Sequence, residues 1–381
     1  MRFSTRGAVD PFIVMDVMEA ARLKELAGGD VIHMEVGQPA TPAPRLAREA
    51  LVAAMEREAL GYTVALGLPA LRARISRLYR DWYGLDVAPE RIVVTSGSSA
   101  GFLLAFLALF DAGDRVAIGD PGYPSYRNIL RGLDLEPVSI ATEASTRFQP
   151  APVHLENTDL QGLLVASPAN PTGTMLGRAE LQALSDACRR ADIAFISDEI
   201  YHGIQFDGRR PVTALEVTDE VFVINSFSKY FSMTGWRIGW MVVPESHVRM
   251  VERLAQNFFI CAPHASQVAA LGALDAAEEC EAHLAVYAKN REILLNELPA
   301  AGFTRLAPCD GAFYLYADLS ELTDDSQAFT AAMLAEAGVA ATPGLDFDPV
   351  RGNRTMRFSF ARSTADMVEA ARRLKTWMAG R

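Results

Sequence analysis

Between Arg91 and Val243 the chain repeats one pattern: a short, almost wholly apolar run, a turn of small or polar residues, and then a longer segment with helical spacing. The runs are RIVVTSG, DRVAIGD, LQGLLVASP, DIAFISDE, VFVINSFS and RIGWMVV, and SAGFLLAFLALF, YPSYRNILRGL and GRAELQALSDACRRA lie between several of them. A strand without alternating polar positions has to be covered on both faces. Joining parallel strands takes a crossover of about a dozen residues or more, usually a helix. The alternation therefore predicts an α/β fold class, with a mostly parallel sheet carrying helices on both faces. We place this large domain at residues 45–275.

From about Ala276 the texture changes. A long helical stretch, ECEAHLAVYAKNREILLNEL, leads to the strand-like runs AFYLYADLS and TMRFSFA, with helices beginning near Asp325 and Thr364. This reads as a smaller α+β unit over residues 276–381. The N-terminal segment 1–44, punctuated at GG, GQP and TPAP, is expected to complete it.

Polar residues interrupt the large domain at consistent places. Ser167 and Asn170 in SPANPTG, Asp198 and Tyr201 in SDEIY, and Ser226 through Lys229 in SFSK all fall just past the C-terminal end of an expected strand. In open α/β sheets ligands bind at that edge. The turn TSGSSAG, between a strand and a long helix, offers free backbone N–H groups and the positive end of a helix dipole, which suits a phosphate. Lys229 stands out further, because lysine is rarely buried without a partner.

Charge and cysteine usage narrow the function class. A net charge of −11 argues against a general nucleic-acid or anionic-membrane surface, while leaving room for one small basic pocket. Cys188, Cys261, Cys280 and Cys309 are scattered, without histidines at zinc-ligand spacing, so no metal is expected and a reduced compartment is. Asp10, Asp16 and Glu19 interrupt any signal-type apolar run, and the longest such run elsewhere, GFLLAFLALF, is about half of what a bilayer requires. A cytoplasmic location with no membrane association is the expectation.

In this order and at these separations, SPANPTG, SDEIY and SFSKYFSMTGWRIGW resemble the class I and II aminotransferases, the fold-type I pyridoxal-phosphate enzymes of the aspartate aminotransferase superfamily. The resemblance runs from EVGQP near Val36 to TMRFSFA around Arg357. It implies pyridoxal 5'-phosphate as cofactor, with Lys229 as the lysine bonded to its aldehyde. Burial and neighbouring cations would lower the pKa of that lysine and free its amine as nucleophile and proton carrier.

By the same resemblance, Asp198 faces the pyridine nitrogen, Asn170 and Tyr201 hydrogen-bond the phenolic oxygen, and Tyr123 in DPGYPSY stacks on the ring. Phosphate contacts fall to Ser98, Ser99, Ala100, Ser226 and Arg237. Arg237 is expected inside an apolar strand, between Trp236 and Ile238, where a buried arginine needs an anion. Arg357 takes the substrate α-carboxylate in a bidentate pair, helped by the Gly37 backbone and Asn170. Tyr62 in GYTVALGLPALRARI is the tyrosine that relatives donate to a neighbouring subunit, so a homodimer is implied.

The activity implied is amino-group transfer between an L-amino acid and a 2-oxo acid by a ping-pong mechanism, with Lys229, Asp198 and Tyr201 as the catalytic set. Two other readings share the site. A C–S β-lyase breaks a different substrate bond over the same cofactor, and some regulatory proteins keep such a domain as an effector-binding module behind a basic DNA-binding domain. Here the aminotransferase pattern starts almost at the first residue. One departure stands out: in TPGLDFDPVRG, Asp348 occupies a position where many relatives have glycine, which bears on the loop before Arg357. No second arginine for a distal carboxylate is evident, so donor preference stays open.

Overall fold

The structure is a computed structural model that describes residues 1–381. It contains thirteen strands, beginning with a short β1 (Ile32–His33). Seven form one sheet: β2 (Ile92–Thr95), β3 (Arg115–Asp120), β4 (Glu136–Ala141), β5 (Gly162–Ala166), β6 (Ala194–Asp198), β7 (Phe222–Ser226) and β8 (Gly239–Val242). Their spatial order is β2-β8-β7-β6-β5-β3-β4. All neighbours are parallel except β8, which runs antiparallel to both β2 and β7. Every residue of β2, β7 and β8 is buried, as strands covered on both faces require.

Chain order departs from spatial order at β3, which has β4 on one side and β5 on the other. A crevice opens at such a switch point, outside the carboxyl ends of the strands. The edge strand β4 escapes the sequence pattern because it holds Pro137 and buries only Ile140. Proline is tolerated at a sheet edge. Another difference concerns RIGWMVV. The strand starts at Gly239, two residues later than expected, because Arg237 sits at φ 51° in the left-handed region and closes a short 3₁₀ turn over Thr234–Trp236.

The second sheet is antiparallel, in the order β12-β13-β10-β9, from β9 (Arg305–Leu306), β10 (Tyr314–Asp318), β12 (Thr342–Pro343) and β13 (Thr355–Ser359). Beside it β1 pairs in parallel with β11 (Val339–Ala340), which ties the N-terminal segment to the C-terminal part of the chain. The long helix Ala277–Ala300 buries Cys280, Tyr287, Asn290, Leu294 and Leu298, a single stripe at helical spacing. Within that stripe Asn290 Nδ2 donates to the carbonyls of Phe360 at 3.0 Å and Arg362 at 2.7 Å, anchoring the chain that leaves β13. One apolar core runs through both sheets, joining Val94, Leu163 and Phe195 to Phe313 and Phe358.

Candidate active site

The crevice at the sheet edge is a cavity of about 640 Å³. Its position follows from topology. Asp198 ends β6, Asn170 follows β5, Tyr123 follows β3, and Ser98 and Ser99 follow β2, so four parallel strands deliver these side chains to the same edge. Lys229 lies just past the end of β7, whereas Arg237 precedes β8. Because β8 is antiparallel, its beginning lies at the edge where β7 finishes, and one loop presents both cations to one cavity.

Lys229 Nζ donates to the carbonyl of Gly37 at 2.7 Å and lies 5.5 Å from the centre of the Tyr201 ring. Burial lowers its pKa to about 8; the charge of Arg357 and, more weakly, that of Arg237 add to this, while Asp198 opposes it. Asp198 is 3 % exposed. Its carboxylate accepts from the Tyr126 hydroxyl and, at 3.1 Å, from the Ile200 N–H. Burial pushes its pKa up to about 6 against those two hydrogen bonds and the Lys229 charge.

Arg357 is held in the middle strand of a three-strand run, β12-β13-β10, and is buried with no carboxylate paired to it. Its Nη1 donates to Asn170 Oδ1 at 2.8 Å, and Nη2 donates to the Glu35 carbonyl and, at 3.3 Å, to Thr342 Oγ1. The guanidinium carbon lies 4.4 Å from the Tyr314 ring centre and 4.7 Å from that of Phe347. Nε is buried without a partner. The Tyr201 and Tyr314 hydroxyls share a hydrogen bond of 2.7 Å, and burial raises the pKa of Tyr201 well above that of an ordinary phenol.

The helix Ser98–Leu109 points its first turn at the cavity, with no side-chain cap and no acidic residue in that turn. The unpaired N–H groups there favour an anion. Gly97 (φ 78°) lets the Arg237 guanidinium close in on that turn: a Cβ at this position would lie 2.5 Å from Arg237 Nη2. Arg237 is solvent-exposed at the cavity rather than buried in a strand, which corrects the sequence-based expectation. Its Nη1 donates to the Thr234 carbonyl at 2.9 Å.

Three expected residues stand apart from the lining. Ala100 is buried within the helix. Ser226 is buried behind Ser228: its hydroxyl donates to Ser228 Oγ at 2.8 Å, and Ser228 itself faces the cavity. Tyr62 is 84 % exposed and lies outside the cavity. Tyr123 lines it, packed edge-on against Tyr126 with ring centres 5.3 Å apart.

Other contributors were not singled out from sequence. Tyr126 follows Tyr123 by three residues, and since a helix starts at Pro124 that spacing was a usable signal. Tyr314 is one of two tyrosines in AFYLYADLS, with nothing local to distinguish it from Tyr316. Phe12, Val14 and Met15 form an apolar wall, extended by Val36 and Ile200. The only charged side chains in the lining are Asp198, Lys229, Arg237 and Arg357, three cations against one anion in a chain of net charge −11. Such a cavity can take an anion at the helix terminus and a carboxylate at Arg357, with an amine between them.

Residues 29–374 match the family described as aminotransferase class I and II. The chain is 48% identical to a valine–pyruvate aminotransferase of Mycobacterium tuberculosis, over 99% of this chain and 98% of that one. It is 63% identical to a Silicibacter pomeroyi protein of known structure, with full coverage of both chains and a TM-score of 0.96. A solved aminotransferase structure from Mycobacterium tuberculosis is also fully covered, at 48% identity and a TM-score of 0.98.

Proposed function

The chain belongs to the class I and II aminotransferases, pyridoxal-phosphate-dependent enzymes of fold type I, and we propose that its amino donor is a small aliphatic L-amino acid, valine above all, with pyruvate as an acceptor. The observation that carries this donor class is the cavity wall. The N-terminal segment lines the cavity with Phe12, Val14, Met15 and Val36, with Gln38 as its one polar side chain there, and this mainly apolar wall favours an apolar donor side chain. A dicarboxylic donor needs a second cation, and the one other arginine in the lining, Arg237, is beside the helix terminus. The name of the Mycobacterium tuberculosis relative points to the same donor and acceptor.

The residues present fit the cofactor. The excess of cations, the close approach of Arg237 to the Ser98 helix terminus that Gly97 permits, and the buried, unpartnered Arg357 Nε suit a phosphate at one end and a substrate carboxylate at the other. When bound, the cofactor supplies the electron sink for the bond broken at the substrate Cα. In our reading Arg237, the N–H groups of Ser98, Ser99 and Ala100, and Ser228 would hold the phosphate, with Ser226 orienting the Ser228 hydroxyl from behind. Tyr123 would cover the ring, Asp198 would face its nitrogen, and Asn170 and Tyr201 would hold its phenolic oxygen. Arg357, Asn170 and the Gly37 backbone orient the α-carboxylate. Lys229 Nζ would hold the cofactor aldehyde at rest and, once the substrate amine has replaced it there, would be free to move the proton at the substrate Cα; burial lowers its pKa to about 8, toward the neutral amine this needs.

The proposal includes a homodimer, with Tyr62 reaching the neighbouring site; its exposure and its place outside the lining of its own cavity support this. It also includes the division into a large domain, 45–275, and a small one, 1–44 with 276–381, supported by the separate sheets and the β1–β11 pair. A cytoplasmic location is supported by four unpaired cysteines; no helix is long and apolar enough to cross a membrane. The deciding experiment measures kcat/KM for valine, alanine, aspartate, glutamate and phenylalanine against pyruvate and 2-oxoglutarate. Aspartate or glutamate outperforming valine overturns the donor assignment.

A further inference from the structure

We propose that Asp346 is a positioning residue for donor selectivity: its carboxylate holds the start of the N-terminal helix, and with it the Phe12–Met15 wall, against the substrate cavity. The inference rests on the aliphatic-donor reading above and names the residue that maintains that wall. Asp346 is 3 % exposed and lies on the loop between β12 and β13. Its Oδ1 accepts from the Ile13 N–H at 2.9 Å and its Oδ2 from the Val14 N–H at 3.4 Å. The helix Ile13–Leu26 lacks a cap of its own, because Phe12 at the cap position has no side-chain acceptor. A carboxylate from the far end of the chain thus satisfies its first orphan donors.

Near the helix start the other ties are an edge-on pair of the Phe12 and Tyr123 rings, 5.9 Å apart, and a hydrogen bond from Asn128 Nδ2 to the Asp10 carbonyl at 3.3 Å; further along, Ala21 packs with Val31, Leu334 and Ala340. Residues 1–11 are exposed, and the helix buries only Val14 and Ala21. The ion pair between Asp10 and Arg131 joins two largely exposed side chains, which contributes little. The loop carrying Asp346 is by contrast firmly tied. Asp348 Oδ1 accepts from the N–H groups of Val350 at 3.0 Å and Arg351 at 2.9 Å, and Arg351 Nη2 donates to the Asp120 carbonyl at 2.6 Å. The next residue, Phe347, packs on the Arg357 guanidinium and accepts from the Gly122 N–H at 3.0 Å. One loop therefore sets both the α-carboxylate anchor and, through Asp346, the wall facing the donor side chain. Selectivity depends on the separation between them.

The test uses full-length holoenzyme with Asp346→Ala and Asp346→Asn, following the amino-donor half-reaction with valine and with alanine, and hydrogen exchange at the amides of residues 13–16. In Asp346→Ala the apparent affinity for valine should fall about tenfold, the size expected for one or two methylenes losing their contacts, with the maximal rate and the alanine affinity within about twofold. Asp346→Asn, which keeps one acceptor oxygen, should fall between. Exchange at Ile13 and Val14 should accelerate in the alanine variant. Equal losses for valine and alanine, or exchange unchanged from wild type, overturn the proposal. A wild-type enzyme indifferent to valine overturns the donor assignment instead, and the exchange result then still decides whether Asp346 holds the arm.

Discussion

Replacing Arg357 by lysine tests the substrate end of the cavity, because the structure separates what a guanidinium does there from what any positive charge would do. The planar group lies between Tyr314 and Phe347 at 4.4 and 4.7 Å and is oriented by Asn170, Glu35 and Thr342. An ammonium keeps the charge but loses the two-pronged match to a carboxylate and the flat contact with both rings. One charge-assisted hydrogen bond is worth about 1.5–3 kcal/mol, and a cation over an aromatic face about 0.5–1 kcal/mol or more. A combined loss of about 3 kcal/mol corresponds to a fall of about 100-fold in kcat/KM for the donor. Cofactor retention should change little, since Arg237 and the Ser98 helix terminus are untouched. Steady-state kinetics and the absorbance of bound cofactor measure the two separately, with thermal unfolding as a control for folding. An unchanged donor affinity, or a loss of cofactor as large as the loss of donor, refutes the assignment.

Lys229→Ala should keep some cofactor, by absorbance after dialysis, yet abolish multiple turnover; normal turnover would remove the role given to Nζ. Gly37→Ala places a Cβ 2.0 Å from the Tyr314 hydroxyl, so donor kcat/KM should drop about tenfold or more, and adding Tyr314→Phe should recover part of it; no loss in the single variant counts against the close approach. Asp198 gives a pH signature in cofactor-free protein: its native pKa of about 6 lies above the ordinary carboxylate value of 3.8, so between those values the native state holds a proton that the unfolded state has released. The contribution of Asp198 to stability therefore falls as pH rises through that window, and Asp198→Asn should lose less stability than wild type between pH 4 and pH 6 in denaturant titrations. Parallel curves for the two proteins contradict the buried, proton-retaining carboxylate.

Where sequence reading and structure agree, and where they part, follows from the range of the interactions involved. Strands β2, β5, β6 and β7 announce themselves because burial on both faces leaves continuous apolar runs, and the polar residue that ends each run marks the ligand edge. Strand β4 lacks that mark, being exposed at the edge. Arg237 was misplaced for a local reason: RIGWMVV has the composition of a strand from its first residue, but the left-handed turn at Arg237 is set by the chain reversal from β7 into antiparallel β8. The same reversal explains why Lys229 and Arg237 meet, a fact their spacing alone does not convey.

The arm and the loop that complete the cavity were illegible for a different reason. Ile13 and Asp346 are 333 residues apart, and Arg357 and Glu35 are 322 apart. No periodicity or turn chemistry couples positions at that distance; only the assembled sheets bring them together. This divides the site by origin. Groups assigned to the cofactor sit mostly at strand ends and one helix terminus, where local patterning exposes them, so the cofactor and its holding residues can be read from motifs. The wall facing the donor side chain is built from an arm with few apolar anchors and from Asp346, which supplies acceptors for that arm's unpaired N–H groups. If donor choice is set there, exchanging the arm and the loop together between relatives of different donor preference should transfer selectivity, and exchanging the arm alone should not. Transfer by the arm alone would mean that its own side chains suffice and that the Asp346 contact has no part in the discrimination.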